Sequence, residues 1–275
     1  MTGDADKASP DMIEQRLTMM RAMQHFGDRP EDGRTPGPLE AMFWDNQGPV
    51  VHKWLHYLPL YDRYLAPYRN RPVRMLEIGV YKGGSLALWR RYFGPSAIIF
   101  GIDIDPDCAR FDGQDGQVRI GSQADPAFLT VVADEMGGVD IVLDDGSHDS
   151  RHIRTSFGTL FPRLSEGGIY IIEDLHAAYW SDYSGGYDAP GSFMQDVKTL
   201  IDDLHHWYHD HGERIAAAAG HLAGLHIHDS LVVLEKQAPH PPQHTVRANR
   251  EKALKRAAAR HPAEKTSDPD RAASG

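Results

Sequence analysis

Two short apolar runs that each end in acid set the tightest limit on what this chain can become. The first reads Val139-Asp-Ile-Val-Leu-Asp144-Asp145-Gly-Ser-His148 and the second Gly167-Gly-Ile-Tyr-Ile-Ile-Glu173-Asp174, with a helical segment between them. A buried strand closed by paired carboxylates is costly unless those carboxylates meet a cation or water. In an open parallel sheet the carboxyl ends of neighbouring strands lie side by side, and ligands bind there. Asp145, Glu173 and Asp174 therefore read as one cluster, with His148 beside it.

The same alternation runs upstream. Arg74 to Gly79 is a short buried strand that enters a glycine turn, and Ser85 to Phe93 is a helix. Ala97 to Asp103 and Val118 to Ile120 are further strands, and Pro126 to Met136 is a helix. Asp140 to Leu143 is the fourth strand, Ser150 to Leu164 a helix and Ile169 to Ile172 the fifth strand. Strands alternating with helices predict an α/β fold, a Rossmann-like doubly wound and mostly parallel sheet. Leu225 to His228 and Ser230 to Lys236 would complete it as an antiparallel C-terminal hairpin. Asp182 to Gly191 reads as a loop above the sheet and Ser192 to Tyr208 as a helix.

The flanks are simpler. Residues 1–10 read as disordered, and Asp11 to Phe26 as a helix capped by Asp11 with a methionine-rich docking face. Gly27 to Pro38 is a linker. Tyr57 to Tyr68 is a tyrosine-rich helix that either packs on the sheet or covers a ligand. The expected organisation is an extension over 1–45, one domain over 46–237 and a polar tail over 238–275, helical in part near Asn249 to Arg260.

Composition closes off several classes. The 275 residues suffice for one sizeable core. A net charge of −10 argues against a nucleic-acid surface over the whole protein. The single cysteine, Cys108, excludes an intramolecular disulfide framework and fits a cytoplasmic setting. The N-terminus is unlike a secretory signal. No apolar run reaches the roughly 18–20 residues of a membrane span.

The glycine turn reads Glu77-Ile-Gly79-Val-Tyr-Lys82-Gly83-Gly84-Ser85. It matches neither the dinucleotide fingerprint nor the P-loop. It is similar to the acidic-x-Gly-x-x-x-Gly-Gly loop of class I S-adenosylmethionine-dependent methyltransferases, although an ordinary strand-to-helix turn would use the same glycines. That resemblance implies S-adenosylmethionine as methyl donor, held by Glu77, Gly79, Lys82, Gly83 and Ser85, with Asp103 on the ribose hydroxyls. It puts Ser122, Gln123 and Asp125 beside the adenine. Asp125 alternatively caps the helix that begins at Pro126, and Asp144 either touches the donor or caps a turn.

The second half resembles the metal-dependent sugar O-methyltransferases of macrolide tailoring, of the mycinamicin and demethylmacrocin type. The likeness rests on Asp144-Asp145-Gly-Ser-His148, Ser156-Phe-x-x-Leu-Phe161-Pro, Ile172-Glu173-Asp174-Leu-His176 and Tyr179-Trp180. It implies Mg²⁺ on Asp145, Glu173 and Asp174, with His148 as base. Neighbouring residues of a regular strand point to opposite faces, so Glu173 and Asp174 can share an ion only if the strand has ended. The chemistry agrees: a sugar hydroxyl is a poor nucleophile, and a hard ion held by carboxylates would acidify and orient it. Tyr57, Tyr179 and Trp180 are candidate contacts for a saccharide or glycosylated small-molecule acceptor. A catechol acceptor is a neighbouring reading. A non-haem iron hydroxylase using His148 and His176, or a non-catalytic scaffold, are readings from other classes. The helix at Asp11 and the hairpin near Asp229 offer surfaces for a homo-oligomer.

Overall fold

The computed structural model describes residues 9–25, 27–245, 247, 251, 252 and 255. The expectations for residues 1–8 and Phe26, and most of the helix expected near Asn249, lie outside them. The chain divides into two compact units, Met1–Pro239 and His240–Gly275, and the sheet belongs to the first.

The strands are β1 (Arg74–Ile78), β2 (Ile98–Asp103), β3 (Gln117–Ile120), β4 (Val139–Asp144), β5 (Leu164–Ile172), β6 (Leu222–His228) and β7 (Leu231–Lys236). They form one seven-stranded sheet in the order β3-β2-β1-β4-β5-β7-β6. The pairs among β1 to β5 are parallel, while β7 runs antiparallel to both β5 and β6. The expected sheet and hairpin are thus both present. Strand order reverses beside β1, which leaves a crevice at the carboxyl ends of β1 and β4. Register aligns those ends: Ile78 pairs with Ile102 and Asp144, and Asp144 pairs with Ile172.

The helices are α1 (Pro10–Met23), α2 (Pro38–Trp44), α3 (Leu58–Leu65), α4 (Gly84–Phe93), α5 (Pro126–Glu135), α6 (Ser150–Leu160) and α7 (Phe193–Leu204). Strand side chains alternate between faces, and the core divides accordingly. Leu76, Ile78, Val142 and Tyr170 pack with α5, α6 and α7. Met75, Ile141, Leu143 and Ile171 pack with α2, α3 and α4 around Trp89 and Tyr61. By the same parity Glu77 faces α4 and Asp144 faces α6.

Several boundaries differ from expectation, each for a local reason. Ser9, not Asp11, caps α1, accepting from the Met12 N–H at 3.3 Å. Helix α6 stops at Leu160 because Pro162, inside a 3-10 turn, lacks the N–H to continue it, and β5 then starts early at Leu164. Helix α7 stops at Leu204, where the buried Asp203 carboxylate accepts from the backbone N–H groups of Arg214 and Ile215 at 3.0 and 2.8 Å and draws the chain back. Helix α2 has no counterpart in the sequence reading. Its seven residues are too few to reveal a period, yet Leu39 is fully buried and Asp62 of α3 accepts from the Leu39 and Glu40 N–H groups. Among the described residues no helix is long and apolar enough to cross a membrane.

Candidate active site

A cavity of about 490 Å³ opens at the carboxyl ends of β1, β2, β4 and β5, within the range of about 300–1,000 Å³ typical of small-molecule sites. Gly79 has φ +99°, and a Cβ there would stand 2.1 Å from the Asp145 carbonyl oxygen. Only glycine lets β1 turn while the chain leaving β4 passes across it. Gly84 plays the matching part for the segment before α3, since its Cβ would lie 2.2 Å from the Val50 carbonyl oxygen. That close approach carries His52, Lys53 and Trp54 over the carboxyl ends of the central strands into the cavity.

One side of the cavity suits a nucleoside. Asp103, at the end of β2, lines it. Its Oδ2 accepts from the Val80 and Tyr81 N–H groups, and its Oδ1 from Asp105 N–H, each at 2.9 Å. Burial would raise this carboxyl, but those three backbone donors hold it below its usual range. Oδ1, with a single backbone donor, keeps a lone pair for a hydroxyl. Gly79, Ser85, Ser122 and Gln123 also line the cavity.

Other candidates stand behind the wall. Glu77 is fully buried and accepts from Ser85 Oγ at 2.8 Å and Trp89 Nε1 at 3.0 Å, pinning α4 below the glycine turn. Asp144 is buried on the opposite face and accepts from Gln123 Nε2 at 3.0 Å, Ser156 Oγ at 2.5 Å and Tyr170 OH at 2.9 Å. Gln123 in turn accepts from the Ser147 N–H at 2.6 Å, next to His148. Asp125 caps α5 through the Ala127 and Phe128 N–H groups. Lys82 is exposed, its ammonium 4.9 Å from the Tyr81 ring centroid.

The Glu77 position carries a pH signature. Burial pushes its carboxyl up to about 7, against the Lys53 charge and the bonds from Trp89 and Ser85. The folded chain thus binds this proton more tightly than the unfolded chain, whose carboxyl titrates near 4.5. The resulting stability is full below the unfolded value and is lost as pH rises through about 7. Between about pH 5 and pH 8 the wild type should lose on the order of 3 kcal/mol more unfolding free energy than Glu77→Gln. Urea denaturation at both pH values checks this, and parallel profiles would contradict it.

The other side of the cavity is acidic. Strand β5 ends at Ile172, and Asp174 takes φ +52°, so Glu173 and Asp174 leave the strand alternation and both line the cavity. His148 also sits at positive φ, +56°. Such backbone costs a non-glycine residue on the order of 1 kcal/mol or more. Among the described residues, Asp145, His148 and Asp174 each offer a ligand atom within 4.8 Å of the others. His148 Nε2 stands 3.7 Å from Asp174 Oδ2 and 4.0 Å from Asp145 Oδ1.

Glu173 is engaged differently. The Lys53 ammonium, 3% exposed, lies 3.0 Å from both Glu173 oxygens and 2.5 Å from Asp145 Oδ2. Tyr61 OH donates to Glu173 Oε1 at 2.5 Å. Burial and the adjacent Asp145 push the Glu173 carboxyl upward, and Lys53 and Tyr61 oppose that. Burial lowers the proton affinity of Lys53; the Asp145, Glu173 and Glu77 carboxylates outweigh it and raise that affinity above the ordinary lysine value. Asp174 Oδ1 accepts from Trp54 Nε1 and Tyr57 OH, both at 2.9 Å. Carboxylate oxygens suit a hard ion such as Mg²⁺. With Glu173 ionised, Asp145, Glu173 and Asp174 carry three negative charges against the one ammonium that meets the first two, which leaves two for a divalent ion to neutralise.

Comparison with known proteins agrees with this geometry. A methyltransferase-domain family matches residues 76–175. The chain is 41% identical over 202 residues to the demethylmacrocin O-methyltransferase of Streptomyces fradiae, covering 68% of this chain and 51% of that protein. It is also 41% identical over 198 residues to the 8-demethyl-8-alpha-L-rhamnosyl tetracenomycin-C 2'-O-methyltransferase of Streptomyces olivaceus, covering 68% and 52%. The chain thus spans about half the length of these relatives. The crystal structure of MycE, a methyltransferase of the mycinamycin pathway solved with Mg and SAH, superposes with a TM-score of 0.65 at 31% identity, covering 92% of this chain and 68% of MycE. The chain belongs to the class I O-methyltransferase family of these sugar-modifying enzymes.

Acceptor contacts were expected at Tyr57, Tyr179 and Trp180. Tyr57 is fully buried, its hydroxyl between Asp174 and the Ser230 carbonyl, so it fixes a carboxylate instead of facing solvent. Tyr64 OH meets His228 Nε2 at 2.8 Å and Tyr68 OH donates to the Gly167 carbonyl at 2.7 Å, so the tyrosine-rich helix is bolted across the strands. Tyr179 is 43% exposed, and Trp180 stands edge-on to His176 at 4.9 Å between ring centroids. His176 stays outside the Asp145–His148–Asp174 group, with its Nδ1 against Ser230 Oγ. The sequence reading missed Lys53 and Trp54. The only signal for Lys53 was indirect: an acidic cluster that needs a cation.

Proposed function

We propose that this chain is an S-adenosylmethionine- and Mg²⁺-dependent O-methyltransferase whose acceptor is a sugar hydroxyl of a glycosylated natural product. The observation that carries this is the meeting, in one cavity, of Asp103 on the nucleoside side with the Asp145–His148–Asp174 group on the other. Asp103 would take the ribose hydroxyls, and the Ser122–Gln123 loop would flank the adenine. Asp145 and Asp174 would hold the ion, with Glu173 beside them. When bound, the ion supplies Lewis acidity and orientation for an acceptor hydroxyl.

The chain's own residues account for the rest. Trp54 and Tyr57 fix the Asp174 carboxylate in rotation by donating to Oδ1, which leaves Oδ2 free toward His148. His148 accepts the hydroxyl proton as the oxygen attacks the sulfonium methyl; the carbon–sulfur bond breaks and the electron pair stays on sulfur. Holding donor and acceptor side by side supplies much of the rate.

The relatives support a sugar acceptor over a catechol, because one of them is named as a 2'-O-methyltransferase of a rhamnosyl tetracenomycin. Incubating the full chain with methyl-labelled donor, Mg²⁺ and a panel of deoxyhexosyl polyketides and catechols tests the reading. Label is expected in the sugar, lost with EDTA and restored by Mg²⁺. Label only in catechols, or transfer indifferent to EDTA, would contradict it.

A further inference from the structure

The acidic cluster already contains a cation of its own. Lys53 reaches it from a segment packed against Gly84, its side chain is 3% exposed, and its ammonium contacts Asp145 and Glu173 at 2.5 and 3.0 Å. Asp145 is at the same time a member of the Asp145–His148–Asp174 group. An ammonium bound to one oxygen of a carboxylate weakens that carboxylate as a partner for a second cation, and like charges a few ångströms apart repel. Glu173 has both oxygens against Lys53 and one against Tyr61, while Asp174 has none against Lys53.

We propose that Lys53 is a positioning residue that sets the divalent-ion affinity of this site: it shares Asp145 with the ion, engages Glu173, and keeps the ion exchangeable. The inference rests on reading the cluster as a divalent-cation site. A resident ammonium also explains how Asp145 and Glu173 remain packed together before an ion arrives. Isolated buried carboxylates would otherwise resist ionising side by side. The folded chain should therefore tolerate chelators.

Titration of the full chain with Mn²⁺ at pH 8, followed by electron paramagnetic resonance and calorimetry, tests this without any turnover. Lys53→Met is expected to bind Mn²⁺ at least about tenfold more tightly than wild type, the order set by one unit charge a few ångströms away under protein-like screening. Its melting temperature should fall in EDTA and recover with Mg²⁺, whereas the wild type should hardly respond to EDTA. Lys53→Met with Glu173→Gln guards against a variant that fails to fold. It removes one charge of each sign, so its affinity should return close to that of wild type. Equal or weaker binding by Lys53→Met overturns the inference, as does a double variant that binds no ion. If the wild type itself binds no divalent ion, the metal reading falls, and this inference with it.

Discussion

Replacing His148 with alanine is expected to lower kcat by about 10²–10⁴-fold, the span general base catalysis supplies. The affinities for S-adenosylhomocysteine and Mn²⁺ should stay unchanged. The geometry sets both halves of this expectation. His148 Nε2 faces Asp174 Oδ2 at 3.7 Å and Asp145 Oδ1 at 4.0 Å, beyond direct bonding to either. The ring therefore stands among the acidic groups without depending on them for its position. Its backbone is held at φ +56° between the Ser147 N–H, anchored by Gln123, and Asp149, which caps α6. A side chain kept in a strained backbone position at the mouth of a cavity points to function. Steady-state rates and donor-product titrations on the variant check this. An unchanged kcat, or a loss of Mn²⁺ binding equal to the loss of rate, would remove His148 from the role of base.

The second large effect is on stability. Asp144→Ala should lower the unfolding free energy by about 3–5 kcal/mol, because three buried donors lose their acceptor at once. Those donors are Gln123 Nε2, Ser156 Oγ and Tyr170 OH, all directed at one carboxylate that is 2% exposed. The melting temperature should fall on the order of 10 °C. Asp144→Asn should lose far less, since its amide hydrogens can be taken by the Ser156 and Tyr170 oxygens. A functional effect should follow the structural one. Gln123 would lose its anchor, and its bond to the Ser147 N–H at 2.6 Å is what steadies the turn into His148. Urea denaturation of the three proteins checks the order. An alanine variant as stable as wild type would show that the network carries little energy.

How much was legible from sequence depended on range. The strands were readable because each alternates or runs apolar over a few residues. The register that aligns Ile78, Asp144 and Ile172 follows from parallel pairing of runs that end alike. Parity along β1 and β4 was also available: Glu77 and Asp144 had to face opposite layers, which makes them supports of the cavity wall. Asp125 offered two readings, and the cap is the one with bonds to Ala127 and Phe128. What stayed hidden were pairings between distant segments. Lys53 lies 92 residues before Asp145, and Trp54 lies 120 residues before Asp174. No local pattern marks either, because the segment that bears them has neither a helical nor a strand period. Tyr57 was read as an acceptor contact for the same reason: its burial depends on Asp174 and Ser230, far along the chain.

The division of one cavity into a nucleoside half and an ion half is tested most directly by calorimetric titration of wild type, Asp103→Ala and Asp145→Ala. Each protein is titrated with S-adenosylhomocysteine and, separately, with Mg²⁺. The wild type should bind both, Asp103→Ala should lose only the nucleoside, and Asp145→Ala should lose only the metal. A wild type that binds no nucleoside under any condition, or variants that lose both ligands together, would contradict the account.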